Sequence, residues 1–336
     1  MSGIVGHTTY AILTLQQILR RKLPTAPLAV RHYSSFLAGA YLGSDIQTMP
    51  GVICRATGEE AGYGGLPYAD CPGGKSRPWL LESGGEKYAP SRIHELFYGR
   101  ALLLLGWTKA DQALRVPWKS LPEYFAACLE DAAAFYGPSE RTQAYLLGWI
   151  VHVVSDSLIK SVQPGLTLHL LDGTYTPRNR PAQDLYAFYE IGIKELRLDW
   201  PATFADIAAT PVEPAQMHPM RIGEPRGQLA KLFPHGWQPG HKALLLAVLA
   251  ENRRWARRHF IDEIEGLRLA RNDSGKLDVT AAVRSKTGLG LVELMDACRA
   301  AGLREQIAKI AQESAAVIEA VERLLPRSRS LSSVPF

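Results

Sequence analysis

The stretch AYLLGWIVHVVSDSLIK, residues 144–160, places His152, Asp156 and Lys160 at four-residue intervals in a largely apolar run. On a helix that interval stacks side chains on one face, about one turn apart. An imidazole and a carboxylate buried among apolar neighbours and aimed at one point suit a hard-to-borderline divalent metal. Lys160 then stands as a cation where a third ligand would fit.

The same periodicity runs outward in both directions. Residues 8–22, 33–42, 92–105, 122–136, 141–162 and 182–198 read as helices, with Pro138 separating two of them and Pro164-Gly165 stopping the fifth. Alternating, strand-like patterns are sparse. The fold class predicted is all-α, a multi-helix bundle. Three irregular stretches interrupt it. Residues 51–90 carry nine glycines and four prolines, too many and over too long a span for an ordinary connector. Two readings stand for them, a roof over a site or a floppy insertion. Residues 164–181 follow the His152 helix directly. Residues 211–240 are rich in proline and histidine and read as a linker. Beyond them, 243–260 and 291–325 are helical and charged. The organisation expected is a metal-binding helical domain over 1–210, a Pro-rich linker over 211–240, and a helical C-terminal extension with a basic tail over 241–336.

Composition narrows the function classes. At 46% hydrophobic residues, a chain of 336 can bury a sizeable core. No run is long and apolar enough for a membrane span. The first residues place their charges after the apolar stretch rather than before it, so no signal peptide is read there and a cytoplasmic location is expected. The net charge of +5 concentrates in RRWARRHF (253–260) and PRSRS (326–330). A solvated helix face and a frayed tail are the favoured reading of these runs, ahead of phosphate or anionic lipid binding. The four cysteines form no CxxC pair. Cys128 and Cys298 fall in helical patterns and are expected as buried thiols. Cys54 and Cys71 flank a loop and are able to pair, with the reduced state expected in the cytosol.

Further polar residues fall at helix boundaries. His7 opens the first helix, Asp45 follows the end of the second, His94 begins the third, and His169 lies in the irregular stretch after Lys160. Taken singly, each has an ordinary structural explanation. Their order along the chain is the signal.

That order resembles the zinc-dependent phospholipase C superfamily, which also includes the single-strand-specific fungal nucleases and the N-terminal domain of GPI-specific phospholipase D. Four pieces carry the resemblance, from His7 to about Glu190. GHTTYAILTLQQIL is similar to the family's opening His helix. FLAGAYLGSDIQ resembles its small-residue helix ending in a metal-binding Asp. IHELFY is similar to the segment of its central His. AYLLGWIVHVVSD resembles its LG-x3-H-x3-D helix and is the most specific of the four.

The resemblance implies zinc. One site would comprise Asp45, His94, His152 and Asp156, with Asp45 also orienting or deprotonating the attacking water as the catalytic residue. A second would use His7 and Asp156. The family's remaining site departs here. Lys160 stands where a His is expected, and Arg180-x3-Asp184 stands where an H-x3-E or H-x3-D pair is expected. A protonated Lys and an Arg offer no lone pair to zinc, so one or two ions are expected rather than three. Lys160 and Arg180 would take the place of the missing ion, holding Asp184 or a substrate phosphate. Arg178 and Arg180 suit a phosphate through bidentate guanidinium contacts. His169 is a further candidate ligand. For Lys160 a second reading stands equally, a side chain snorkelling at a helix end.

The function expected is therefore metal-dependent hydrolysis of phosphate esters of phospholipase C type, with a lipid head group or nucleic acid as the candidate substrate. A nuclease of the same superfamily is the nearest alternative, with Tyr63, Tyr68, Trp79 and Tyr88 as candidate base platforms on nucleic acid. A non-catalytic binding or scaffold protein with a vestigial metal site is the alternative of a different class.

Overall fold

A computed structural model describes residues 3–41, 50–61, 74–93, 116–159, 179–211 and 239–325. Helices dominate them, as the periodicity predicts. α1 (Ile4–Arg20), α2 (Ala26–Arg31) and α3 (Tyr33–Tyr41) follow one another through tight turns. α1 begins four residues earlier than its apolar pattern suggests, so His7 lies inside its first turns rather than at its start. Two small antiparallel sheets come next. β1 (Val52–Cys54) is central between β2 (Glu60–Ala61) and β3 (Ser76–Pro78), and β4 (Leu81–Ser83) forms a hairpin with β5 (Glu86–Tyr88). α4 (Pro90–Ile93) closes this segment.

The 51–90 stretch is thus neither floppy nor without secondary structure where it is described. Strands of two or three residues leave no legible alternation, and its glycines supply turns. Gly84 and Gly85 sit at positive φ in the β4–β5 turn.

α5 (Leu121–Tyr136) and α6 (Glu140–Ile159) match the expected helices closely. Every residue of α6 from Ala144 to Ile159 is buried. A helix apolar on all sides belongs at the centre of a bundle, and α6 packs against α3, α1 and the last helix of the chain. The tightest crossing is with α3. A Cβ on Gly148 would lie 1.9 Å from the Phe36 carbonyl oxygen, and one on Gly39 would lie 1.8 Å from that of Tyr145. The two backbones touch only because both positions lack a side chain.

α7 (Asn179–Tyr186) continues as a π-helix over Ala187–Glu195. The wider turn frees the Phe188 carbonyl to accept from the Trp200 indole, 3.2 Å away. Trp200 opens α8 (Trp200–Ala209), capped by Asp199, whose carboxylate accepts from the Ala202 amide.

α9 (Pro239–Leu267) is longer than the pattern over 243–260. It lays Leu244 and Val248 against Trp79, Leu81 and Ile93 in a second, smaller core. Its basic run is partly consumed at that junction. Arg254 forks onto Glu60 at 2.6 and 2.8 Å, and the Trp79 indole donates to the same carboxylate. Trp79 is therefore buried and engaged, not presented as a base platform. Tyr88 donates its hydroxyl to Glu86. Tyr63, Tyr68 and the tail over 326–330 lie outside the described residues.

The C-terminal part adds a hairpin that the sequence reading misses, β6 (Ala270–Arg271) with β7 (Leu277–Asp278). α10 (Ala281–Thr287), α11 (Leu291–Ala300) and α12 (Leu303–Leu324) follow. The pattern over 291–325 reads as one helix but folds as two, because Gly302 takes a left-handed conformation at φ 62. α12 shares the main core with α1 and α6 through Ile310, Ala315, Ile318 and Val321. Glu322 accepts from the Thr25 amide at 2.6 Å, and Arg21 pairs with Glu319 at 3.1 Å. The residues expected as an extension are in this way part of the bundle's own interior.

Cys128 and Cys298 are free and buried, as expected. Cys54 is disulfide-bonded, which corrects the expectation of a reduced thiol there. Its place on the central strand of a sheet holds it in a fixed position, and such bonds persist in oxidising surroundings. Among the described residues no helix is long and apolar enough to cross a membrane.

Candidate metal centre

α6 delivers His152 and Asp156 to one face, and α1 crosses that face with His7. The three are 3%, 1% and 1% exposed, so their polar atoms are almost wholly withdrawn from water. His7 Nε2 lies 3.5 Å from Asp156 Oδ1, and His152 Nε2 lies 3.9 Å from Asp156 Oδ2. The two imidazoles stack, with centroids 4.4 Å apart and planes 24° from parallel. One ligand atom from each of the three residues falls within 4.8 Å of the other two.

The outer nitrogens decide what the inner ones offer. His152 Nδ1 is 2.9 Å from the Ala40 carbonyl oxygen, an obligate acceptor, so Nδ1 carries the proton. Ser155 donates its single hydroxyl hydrogen to the His152 carbonyl at 3.0 Å, and its oxygen therefore accepts from His7 Nδ1 at 3.2 Å. In their neutral form both rings then turn an Nε2 lone pair towards the Asp156 carboxylate. Such partners on the far nitrogen are how metal-ligating histidines are oriented and made more basic.

Two lone pairs and a carboxylate converging in an apolar interior repel one another and are costly to desolvate. A cation among them reverses the sign. Tetrahedral zinc with bonds of about 2.0–2.2 Å holds its ligand atoms ~3.3–3.6 Å apart. The 3.5 and 3.9 Å separations run to different oxygens of Asp156, and with one ligand atom from each residue the three lie within 4.8 Å of one another, so they would have to draw together by up to ~1.5 Å to reach that spacing. The residues present fit a divalent ion with two nitrogen ligands and one oxygen ligand.

The crossing of α3 on α6 is part of the site. Gly39 and Gly148 bring the helices close enough for the Ala40 carbonyl to reach His152. Tyr41, the next residue of α3, lies beside His7 with ring centroids 5.8 Å apart.

Of the residues expected from the sequence, the structure gathers His7, His152 and Asp156. Arg180 and Asp184 form an ion pair on α7, with Arg180 Nε 3.3 Å from Asp184 Oδ2. Asp184 Oδ1 accepts from the Gly3 backbone amide at 3.3 Å, at the start of α1. Asp45, His94, Lys160, His169 and Arg178 lie outside the described residues.

Three contributors are absent from the sequence reading. Ser155 is visible only as a polar residue one position before Asp156, and nothing local says that it faces His7. The Ala40 carbonyl and the Gly3 amide are backbone groups and leave no mark in the sequence. The signal for Ala40 lies in the small-residue run Ala38-Gly39-Ala40, which matches Gly148 across the crossing.

No family model, no curated protein and no solved structure matches this chain. The site is accordingly read from its own geometry.

Proposed function

We propose that this protein is a metal-dependent hydrolase of phosphate esters, with zinc as the ion and a phosphodiester of phospholipase C type as the substrate class. The single observation that carries the proposal is the His7–His152–Asp156 cluster, with both outer Nδ1 atoms engaged and both Nε2 atoms facing the carboxylate. An ion held there supplies Lewis acidity, polarising the phosphoryl group and making water acidic enough to attack phosphorus near neutral pH. The chain's own residues do the rest. His152 and His7 are fixed in the ligating tautomer by Ala40 and Ser155. Asp156 supplies the negative charge that offsets the ion. Asp45, four residues beyond α3, is the proposed residue to orient the attacking water. His94 is the proposed further ligand. Lys160 and Arg178 are the proposed cations for the phosphate oxygens.

One observation favours a second reading. The three ligands are nearly completely enclosed, as in sites whose ion stabilises a fold without doing chemistry. This reading makes the protein a non-catalytic binding or scaffold protein.

Metal content of the purified chain, measured beside His152→Ala, tests the site. At least one tightly held divalent ion per chain, lost in the variant, is expected. A wild type that holds no ion and keeps its stability on chelation refutes the metal centre and the hydrolase with it. Turnover of a chromogenic phosphodiester, a phosphocholine lipid and single-stranded DNA then ranks the substrates. Metal-dependent turnover of none of the three leaves the non-catalytic reading.

A further inference from the structure

We propose that Asp184 is a positioning residue for His7, acting through the Gly3 amide at the start of α1, with Arg180 fixing its carboxylate. The inference rests on the reading of His7 as a metal ligand and adds how that ligand is held.

α1 needs outside help at this end. Its N-cap, Gly3, has no side chain to cap with, and its first turn contains no acidic residue. In most helices a Ser, Thr, Asp or Asn at the cap and a Glu three residues on satisfy these amides. Here Asp184 reaches in from α7, 181 residues away in sequence, and accepts from the Gly3 amide. It does what the acidic member of a capping box does, but from another helix. Its charge also lies at the positive end of the α1 dipole.

The link to His7 is direct. The His7 amide donates to the Gly3 carbonyl at 3.1 Å, closing the first turn. Where Gly3 sits therefore sets where His7 sits. Asp184 is itself 2% exposed, and Arg180, four residues earlier on the same helix, holds its second oxygen. The carboxylate is thus tied to α7 on one side and to α1 on the other. His152 belongs to α6 and receives its own orientation from Ala40 on α3. The two rings stack on one another and share Asp156, but His152 has a tie of its own through Ala40, so a defect at Asp184 should disturb His7 more than His152.

The test compares Asp184→Ala with wild type, first without metal. The readouts are the imidazole nitrogen resonances of His7 and His152 and hydrogen exchange over the first turns of α1. In Asp184→Ala the His7 resonances should broaden or shift towards averaged tautomers, and exchange near residue 7 should accelerate. His152 should keep the Nδ1-protonated signature. Zinc or cobalt affinity should fall about tenfold, the lower end of what loss of a residue supporting a ligand costs.

Gly3→Pro removes the amide donor and leaves Asp184 intact. The Gly3 φ of −72 accepts proline, and the same result is expected of it. Arg180→Gln, a milder change, should loosen His7 less than Asp184→Ala does. An unchanged His7 signal in Asp184→Ala or Gly3→Pro, or equal disturbance of His152, overturns the proposal. Failure of the wild type itself to take up metal overturns the metal centre instead, while the metal-free His7 signal still decides the positioning role.

Discussion

Gly148→Ala is the smallest change that should damage the fold and the metal centre together. The new Cβ would stand 1.9 Å from the Phe36 carbonyl oxygen and 3.0 Å from the Ala40 amide nitrogen. Ordinary carbon–oxygen contact begins near ~3.3 Å, so α3 and α6 must separate by about 1.4 Å at the crossing, because backbone atoms have no rotamer with which to yield. His152 Nδ1 now sits 2.9 Å from the Ala40 carbonyl, which lies at the same crossing. The same separation carries that bond to about 4 Å, beyond any hydrogen bond.

The energies oppose one another, and their sizes decide the outcome. Alanine favours a helix over glycine by about 0.5–1 kcal/mol. Overpacking an interior crossing costs about 1–3 kcal/mol. The buried Nδ1–H left without its acceptor costs about 1–3 kcal/mol more. A net loss of about 1–5 kcal/mol follows, a large part of an ordinary domain's stability at its upper end. Urea denaturation measures it directly. A cobalt titration followed by visible absorbance should show at least tenfold weaker binding, since His152 loses the partner that fixes its tautomer. Gly39→Ala, whose Cβ would meet the Tyr145 carbonyl oxygen at 1.8 Å, should do the same from the other side. A Gly148→Ala protein within 1 kcal/mol of wild type with undiminished cobalt affinity would show that the crossing does not position the site.

Three further outcomes can be measured. Ser155→Ala removes the acceptor for His7 Nδ1 and should weaken metal binding about tenfold while costing about 1 kcal/mol of stability, read by calorimetric titration and by denaturation. Arg254, gripping Glu60, holds the Glu60 carboxyl below its ordinary value. The pair's contribution is therefore complete above about pH 4.5 and is lost as pH falls through the lower folded-state value, so the stability deficit of Glu60→Gln should be largest near neutrality and vanish in strong acid. Burial pushes the Cys298 thiol up to about 12. It should resist alkylation at pH 8 in the folded protein and react once urea unfolds the chain, as mass spectrometry of labelled peptides would record.

The parts of the site legible in the sequence are those whose signal is local. His152 and Asp156 share one helix, and a spacing of four residues is enough to place them on one face. His7 is harder, since it lies more than a hundred residues from its partners. It stands out only as a charged-capable side chain at the edge of an apolar helical pattern. What escaped depends on tertiary approach. Gly39 and Gly148 look like ordinary small residues until the two helices are superposed. Ser155 looks like a polar residue tolerated inside a helix. The strands of 51–90 are too short for alternation to register, so the turn residues dominate and leave an ordered roof and a floppy insertion equally open. The reduced state expected of Cys54 follows from an expected compartment, and a local sequence pattern carries no sign of the bond that the structure shows.

The polar ties of α1 are not evenly spread, and their distribution bears on how the metal centre would respond to loss of its ion. The buried face of α1 is held along its length by apolar packing, beginning with Ile4 and Val5 in its first turn and continuing from Tyr10 onward. Among the described residues its first turns carry in addition two polar ties to other helices, Asp184 to the Gly3 amide and Ser155 to His7 Nδ1, and Asp156, facing His7 Nε2, becomes a third only with an ion between them. A hydrogen bond between neutral groups contributes about 1 kcal/mol, whereas an ion saturating the site at a thousandfold excess over Kd contributes about 4 kcal/mol. The ion would thus be the strongest single tie at that end, while the apolar packing of the rest of α1 does not depend on it. Chelation should then loosen the first turns of α1 before it unfolds the bundle. Hydrogen exchange resolved by residue would show that order as faster exchange near His7 with little change along α6. Uniform acceleration across α1, α6 and α12 would instead make the cluster part of the global core, with no separable end.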